Sequence, residues 1–162
     1  MLHLLEKKIK NLNQLKRITS RLKSQGKTIV FTNGCFDLLH YGHVKYLQEA
    51  KQKGDILVVA INSDASVRKI KGKKRPLVSE NDRLRIIAAL ESVDYAILFK
   101  ENTPLEIIKS LRPDILVKGA DWNKNNIAGN DIVLTYGGKV DTIDLIKGRS
   151  TTNLIKKIVK SL

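Results

Sequence analysis

The sequence predicts an α/β domain: a doubly wound, Rossmann-like sheet of about five parallel strands with helices on both faces. Three observations predict it. Short segments that are apolar along their whole length alternate with helical segments, the pattern of strands buried on both sides of a parallel sheet. The chain's 162 residues suffice for one domain with a proper core. No internal repeat, low-complexity run or linker breaks the alternation.

Apolar residues Leu5, Ile9, Leu12, Leu15, Ile18 and Leu22 recur every three or four positions and predict one amphipathic helix ended by Gly26. Residues 1–26 are thus expected to be a helical extension and residues 27–162 the domain proper. Residues 28–32 (TIVFT) read as the first strand, and GHVKYLQEAKQKG as a helix stopping at Gly54. Residues 56–61 read as a buried strand, followed by a short helix from Asp64, whose side chain is placed to cap it. Ser79 opens a helix running to Leu90, and residues 95–99 form a strand. Thr103-Pro104 starts a helix that ends near Arg112-Pro113, before a strand at 115–117. Residues 130–136 are expected as a helix, 139–143 as a strand and 151–162 as a last helix with Leu154, Ile155, Ile158 and Val159 on one face.

Composition narrows the function. The longest wholly apolar run, residues 56–61, is far short of the roughly 20 residues that a membrane span needs. The start, MLHLLEKKIK, is apolar too briefly for a secretory signal. One cysteine excludes an internal disulfide framework, and three histidines beside it leave little for a structural zinc. A cytoplasmic protein is expected. The net charge of +14 is clustered: eight Lys/Arg in residues 1–28, six in 66–75 and five after Asp144. Such a field attracts polyanions, whether nucleic acid, an anionic membrane or a phosphorylated small molecule. The first cluster reads as solvated surface.

Chemistry concentrates after the first strand, in the run TNGCFDLLHYGH from Thr32 to His43. His40 and His43 fall where a strand gives way to its helix, beside unpaired backbone N–H groups and the positive end of a helix dipole. Gly34 and Gly42 admit close approach of a ligand to the main chain. As zinc ligands the histidines lack a third partner nearby, so phosphate is the better fit. Cys35 reads as a small residue packed under the loop rather than a nucleophile, and Asp37 as a structural group rather than a metal ligand. Near the other end, Ser150 or Thr151 stands where a helix N-cap belongs.

The pattern GxFDxxHxGH, here residues 34–43, resembles the signature of the cytidylyltransferase-like nucleotidyltransferases. The run GRSTT at 148–152 resembles their GxSTT element, Lys71-Gly72 their loop lysine-glycine, and Asn81-Asp82-Arg83 their arginine-bearing helix start. These elements follow in family order from Thr28 to Ile158. Within the family the chain is most similar to the adenylyltransferases of bacterial heptose 1-phosphate metabolism, which make ADP-heptose for the lipopolysaccharide inner core. In the cytidylyltransferases for glycerol or ethanolamine phosphate an Arg-Thr precedes the GxSTT element; here Leu145 and Ile146 stand there, and Arg149 replaces an isoleucine.

The resemblance implies AMP transfer from ATP to a sugar 1-phosphate, with Mg²⁺ accompanying ATP and no metal held by protein alone. It implies catalytic roles for His40, His43 and Lys71. Nucleotide binding falls to Asn33, Gly34, Cys35, Phe36, Gly42, Gly148, Arg149, Ser150, Thr151 and Thr152. Arg68, Lys74 and Arg75 are candidates for the substrate phosphate. A separate heptose kinase upstream and a homodimer are further expectations. Cytidylyl transfer to a polyol phosphate is the alternative within the class. Nucleic-acid binding, suggested by charge alone, ranks well behind, because eight scattered aromatic residues offer no stacking set.

Overall fold

Strand β1 (Ile29–Gly34) lies at the centre of the sheet, because its side chains feed two separate cores. Val30 joins one; Ile29 and Phe31, pointing the other way, join the second. The computed structural model, which describes residues 2–162, contains four further strands: β2 (Ile56–Asn62), β3 (Tyr95–Phe99), β4 (Ile115–Gly119) and β5 (Lys139–Ile143). All pairings are parallel and the order is β3-β2-β1-β4-β5. The chain therefore winds outward from β1 through β2 to β3, then returns to lay β4 and β5 on the other side. The crevice where the winding reverses lies between the carboxyl ends of β1 and β4.

Helices cover both faces, as the apolar strands require. On one side α3 (Tyr41–Lys51) and α5 (Glu80–Ala88) bury Leu47, Ala50, Ile87 and Ala88 against Val30, Leu57 and Val59. On the other, α6 (Leu105–Leu111) and α7 (Asn130–Thr135) bring Ile107, Ile108, Leu111 and Val133 to Phe31, Val58 and Leu116. Two helices lie nearer the strand ends: α4 (Asp64–Lys71) follows β2, and α8 (Thr151–Lys160) follows β5. Among the described residues no helix is long and apolar enough to cross a membrane.

The expected N-terminal helix is present as two, α1 (Leu2–Lys8) and α2 (Leu12–Ser24). The break has local causes. Asn11 caps α2 in a reciprocal box with Gln14, and Ile9 bridges to Ala96 while the Lys10 N–H donates to the Ala96 carbonyl at 3.0 Å. Apolar spacing carries straight through such a break, so periodicity alone does not register it. Asp64 is likewise not the cap of α4: Ser63 accepts from the Ser66 N–H, which frees the Asp64 carboxylate for a tertiary contact.

Leu15 of α2 is fully buried in the same core as Phe31, Ile107 and Ile108. Leu15→Ala should therefore destabilise the whole domain by about 2–5 kcal/mol in a single denaturant transition. A loss under about 1 kcal/mol, the surface range, would mean that α2 is not part of the core.

Candidate active site

The site begins where β1 ends. Beyond Gly34 the backbone turns sharply, and Phe36 sits at φ +48°, a left-handed conformation that is strained for an aromatic residue. Its ring folds back so closely that a Cβ at position 34 would lie 3.0 Å from it, which is why glycine stands there. Two charged residues clamp this turn. The Asp37 carboxylate is buried and accepts from the Arg75 guanidinium at 2.8 Å and from the N–H groups of Leu77 and Val78 at 2.8 and 2.9 Å. Arg83, fully buried on α5, donates to the carbonyls of Cys35 and Val78 and to the Asp64 carboxylate at 2.7 Å. The turn, α4 and α5 are thereby tied to one guanidinium. Arg75, a candidate for substrate phosphate, has its side chain committed to Asp37.

On this platform the two histidines stack. Their ring centroids are 3.9 Å apart with planes 21° off parallel, and Phe36 meets His43 edge-on at 5.4 Å. His40 is the N-cap residue of α3 but gives the helix no side-chain bond; its ring is turned to its neighbour instead. Gly42 makes room, since a Cβ there would lie 2.9 Å from the His40 ring and 3.3 Å from the Cβ of Arg149. The Nδ1 atoms of both imidazoles are buried without a protein hydrogen-bond partner, as is the Asn33 side-chain oxygen. Burial, and then the neighbouring His40, push the His43 pKa down to about 4. His40 is also lowered, by burial and then by the Arg149 charge. Both rings are neutral near pH 7, so the positive charge of the site comes from elsewhere.

Three cations supply it. Arg149 precedes α8, where Ser150 caps the helix by accepting from the Asn153 N–H and the Thr151 hydroxyl donates to the Leu38 carbonyl at 3.4 Å. This brings residues 148–152 and the histidine pair together, as the motifs imply. Lys71 is the last residue of α4 rather than part of a loop; the buried Val67 holds the helix down and Gly72, at φ +97°, ends it. The third cation, Lys118 on β4, donates to the Asn33 carbonyl at 2.9 Å. Lys71 lies close enough for its charge to act on both Cys35 and Lys118. Lys71 is itself exposed, as are Arg68 and Lys74. The Cys35 thiol is pushed up by burial, against the charges of Lys71, Arg83 and Lys118. That makes it a poor nucleophile, in keeping with a packing role.

Lys118 was not singled out from the sequence. The signal was a single charge at the carboxyl end of an otherwise apolar strand, in the run DILVKGAD.

The fold is of the Rossmann-like α/β class, with the site at the carboxyl ends of its parallel strands. A family model, cytidylyltransferase-like, matches residues 31–156, and the chain belongs to that family. It is 55% identical over 95% of its length to the bifunctional protein HldE of Geobacter metallireducens, and 50% identical over 93% to that of Magnetococcus marinus. In each case the chain spans 31% of the relative's length. Among solved structures it resembles the lipopolysaccharide core biosynthesis protein from Thermoplasma volcanium GSS1. The TM-score is 0.62 at 35% identity, covering 75% of this chain and 98% of that one.

The low pKa of His43 has a consequence for stability. In the unfolded chain the imidazole protonates near 6.5, against about 4 in the fold. Between those values the unfolded state binds the extra proton, so stability is complete above pH 6.5 and falls as the pH drops toward 4. His43→Gln should flatten this part of the Tm–pH curve, and the His43 ring protons should titrate near pH 4 by NMR. A midpoint at or above the ordinary value would contradict the burial of a neutral pair.

Proposed function

We propose that the chain transfers AMP from ATP to D-glycero-β-D-manno-heptose 1-phosphate, giving ADP-heptose and pyrophosphate for the lipopolysaccharide inner core. The observation that carries the reaction class is the stacked histidine pair beside Arg149 and the start of α8, an arrangement that receives phosphate oxygens. The acceptor is supported by the similarity to HldE proteins and to a protein named for lipopolysaccharide core biosynthesis, together with the sequence motifs. The proposal includes a cytoplasmic setting and a heptose kinase acting before this step.

The phosphate oxygen of the sugar 1-phosphate attacks the α-phosphorus of ATP in line. A bond forms between that oxygen and Pα as the bond from Pα to the β-bridging oxygen breaks, and pyrophosphate takes the electron pair. The nucleophile is already an anion near neutral pH, so no side chain has to remove a proton. Positioning and charge neutralisation then dominate. His40 and His43 donate hydrogen bonds to phosphate oxygens as negative charge moves toward the leaving group. Lys71 and Arg149 neutralise the phosphates from opposite sides, and the α8 N-terminus at residues 150–152 holds the leaving pyrophosphate. Among the described residues no three His, Cys, Asp or Glu side chains cluster as a metal cage. Mg²⁺ belongs to this reading as a companion of the triphosphate, and no step is assigned to it.

His40→Ala and His43→Ala should each lower kcat by about 10²–10³ with the fold intact, the scale of losing one preorganised donor. Near-wild-type turnover in either variant would remove the histidines from the mechanism.

Base choice tests the acceptor-specific reading. With heptose 1-phosphate, pyrophosphate release should favour ATP over CTP by at least about tenfold in kcat/KM, roughly 1.4 kcal/mol. Leu145, Ile146 and Arg149 replace the residues of the cytidylyltransferase pattern. Equal or better use of CTP, or preference for a polyol phosphate, would favour the cytidylyl alternative.

A further inference from the structure

The transfer centre has an electrostatic shortfall. Two anionic groups, the acceptor phosphate and the α-phosphate of the nucleotide, must approach to bonding distance, while the nearest side chains are two neutral imidazoles. The cations must therefore surround the β1 tip. Lys71 stands on the β2 side at the end of α4, and Arg149 on the α8 side. Lys118 stands on the remaining side, on β4, at the crevice between β1 and β4 where parallel sheets bind their ligands.

The surroundings of Lys118 distinguish it from the cations that hold the fold together. Arg83 and Arg75 each have a carboxylate partner, at 2.7 and 2.8 Å. The hydrogen bond of Lys118 goes to a neutral acceptor, the Asn33 carbonyl, which holds the ammonium at the β1 tip with two N–H donors to spare. The Trp122 ring lies 5.5 Å away and is half exposed, forming the outer wall. The charged and titratable groups that act on Lys118 are Cys35 from the turn, Asp121 beyond β4 and Lys71 from α4. The Asp121 charge reaches Lys118 without pairing with it, the Lys71 charge opposes it, and among the described residues no carboxylate comes within ion-pair distance of the ammonium. An anionic ligand supplies the counter-ion.

We propose that Lys118 is a further catalytic residue of the transfer, its ammonium binding a non-bridging oxygen of the α-phosphoryl group between Lys71 and the histidine pair. This rests on the nucleotidyltransferase reading and deepens it. A consequence follows from protonation. Burial pulls the Lys118 pKa down to about 8; the Cys35 and Asp121 charges oppose this and Lys71 adds to it. Phosphate binding favours the charged form, so above pH 8 the protein should take up a proton when ATP binds. Neither the histidines nor the thiol provides such uptake there, because the imidazoles and the thiol keep their neutral forms at that pH.

The test is calorimetry of ATP binding with Mg²⁺ at pH 8.5, in two buffers of different ionisation enthalpy. The wild type should take up about half a proton per ATP. Lys118→Met should abolish the uptake, weaken ATP binding about tenfold or more, lower kcat about 10²-fold and leave Tm unchanged or raised, since a half-buried charge without an ion-pair partner is gone. Lys118→Arg should restore affinity without uptake, because guanidinium is already charged. Cys35→Ala should keep the uptake. Binding without proton uptake in the wild type, or uptake that survives in Lys118→Met, would overturn the proposal. If ATP binds with uptake but heptose 1-phosphate yields no ADP-heptose, the acceptor reading fails and the role of Lys118 in nucleotide binding stands. If ATP does not bind at all, both fall.

Discussion

Everything in the site depends on how β1 ends. A parallel strand at the centre of the sheet delivers its backbone into a crevice with no partner strand to continue, and here a six-residue turn must reverse the chain into α3. That turn is strained at Phe36 and would not hold its shape unaided. Arg83 and Asp37 hold it, one by gripping the Cys35 carbonyl from below, the other by tying the turn to the segment before α5. Both are charged groups deep in the protein, and each is paired and hydrogen-bonded as burial demands. The stacking of His40 on His43, the glycine beneath them and the approach of Arg149 all follow from the path this turn imposes.

Rigidity at the turn explains the division of labour around it. The imidazoles are packed, partly desolvated and neutral, so in the proposed reaction they act as oriented donors rather than as a fixed cationic field. Formal charge is carried by side chains from three other elements, α4, β4 and the lead-in to α8. A reaction between two phosphates suits such a site. The chemistry needs neither a protein nucleophile nor a strong base, only reactants held in line while charge is neutralised. The one thiol nearby is pushed toward its inert form, which agrees with that division.

The fold was legible because buried parallel strands are apolar on both faces, a pattern that survives in sequence without any knowledge of pairing. Residues 56–61 illustrate it: all six fall within β2, and Leu57 through Ile61 are fully buried. The histidines and the residues before α8 were legible as motifs. What escaped were features that exist only once elements meet. The break between α1 and α2 comes from a pairing with Ala96, some 90 residues away in the chain, which helical spacing does not encode. The extension of α4 through Lys71 depends on Val67 finding the core. Lys118 is one lysine among many along the chain, and only the adjacency of β4 to β1 makes it part of the site. Asp37 is structural, as its position in the turn implies, and its three acceptor bonds supply the reason.

The central claim is that the acceptor's phosphate attacks ATP directly, with protein groups positioning and neutralising but never bonding to phosphorus. The most direct measurement uses ATP made chiral at the α-phosphorus with sulfur and oxygen isotopes, followed by determination of configuration in the nucleotide-sugar product. One in-line displacement requires inversion. Retention would mean two displacements through a nucleotidyl-enzyme intermediate, which would turn one of the stacked histidines from a hydrogen-bond donor into a nucleophile and contradict the mechanism.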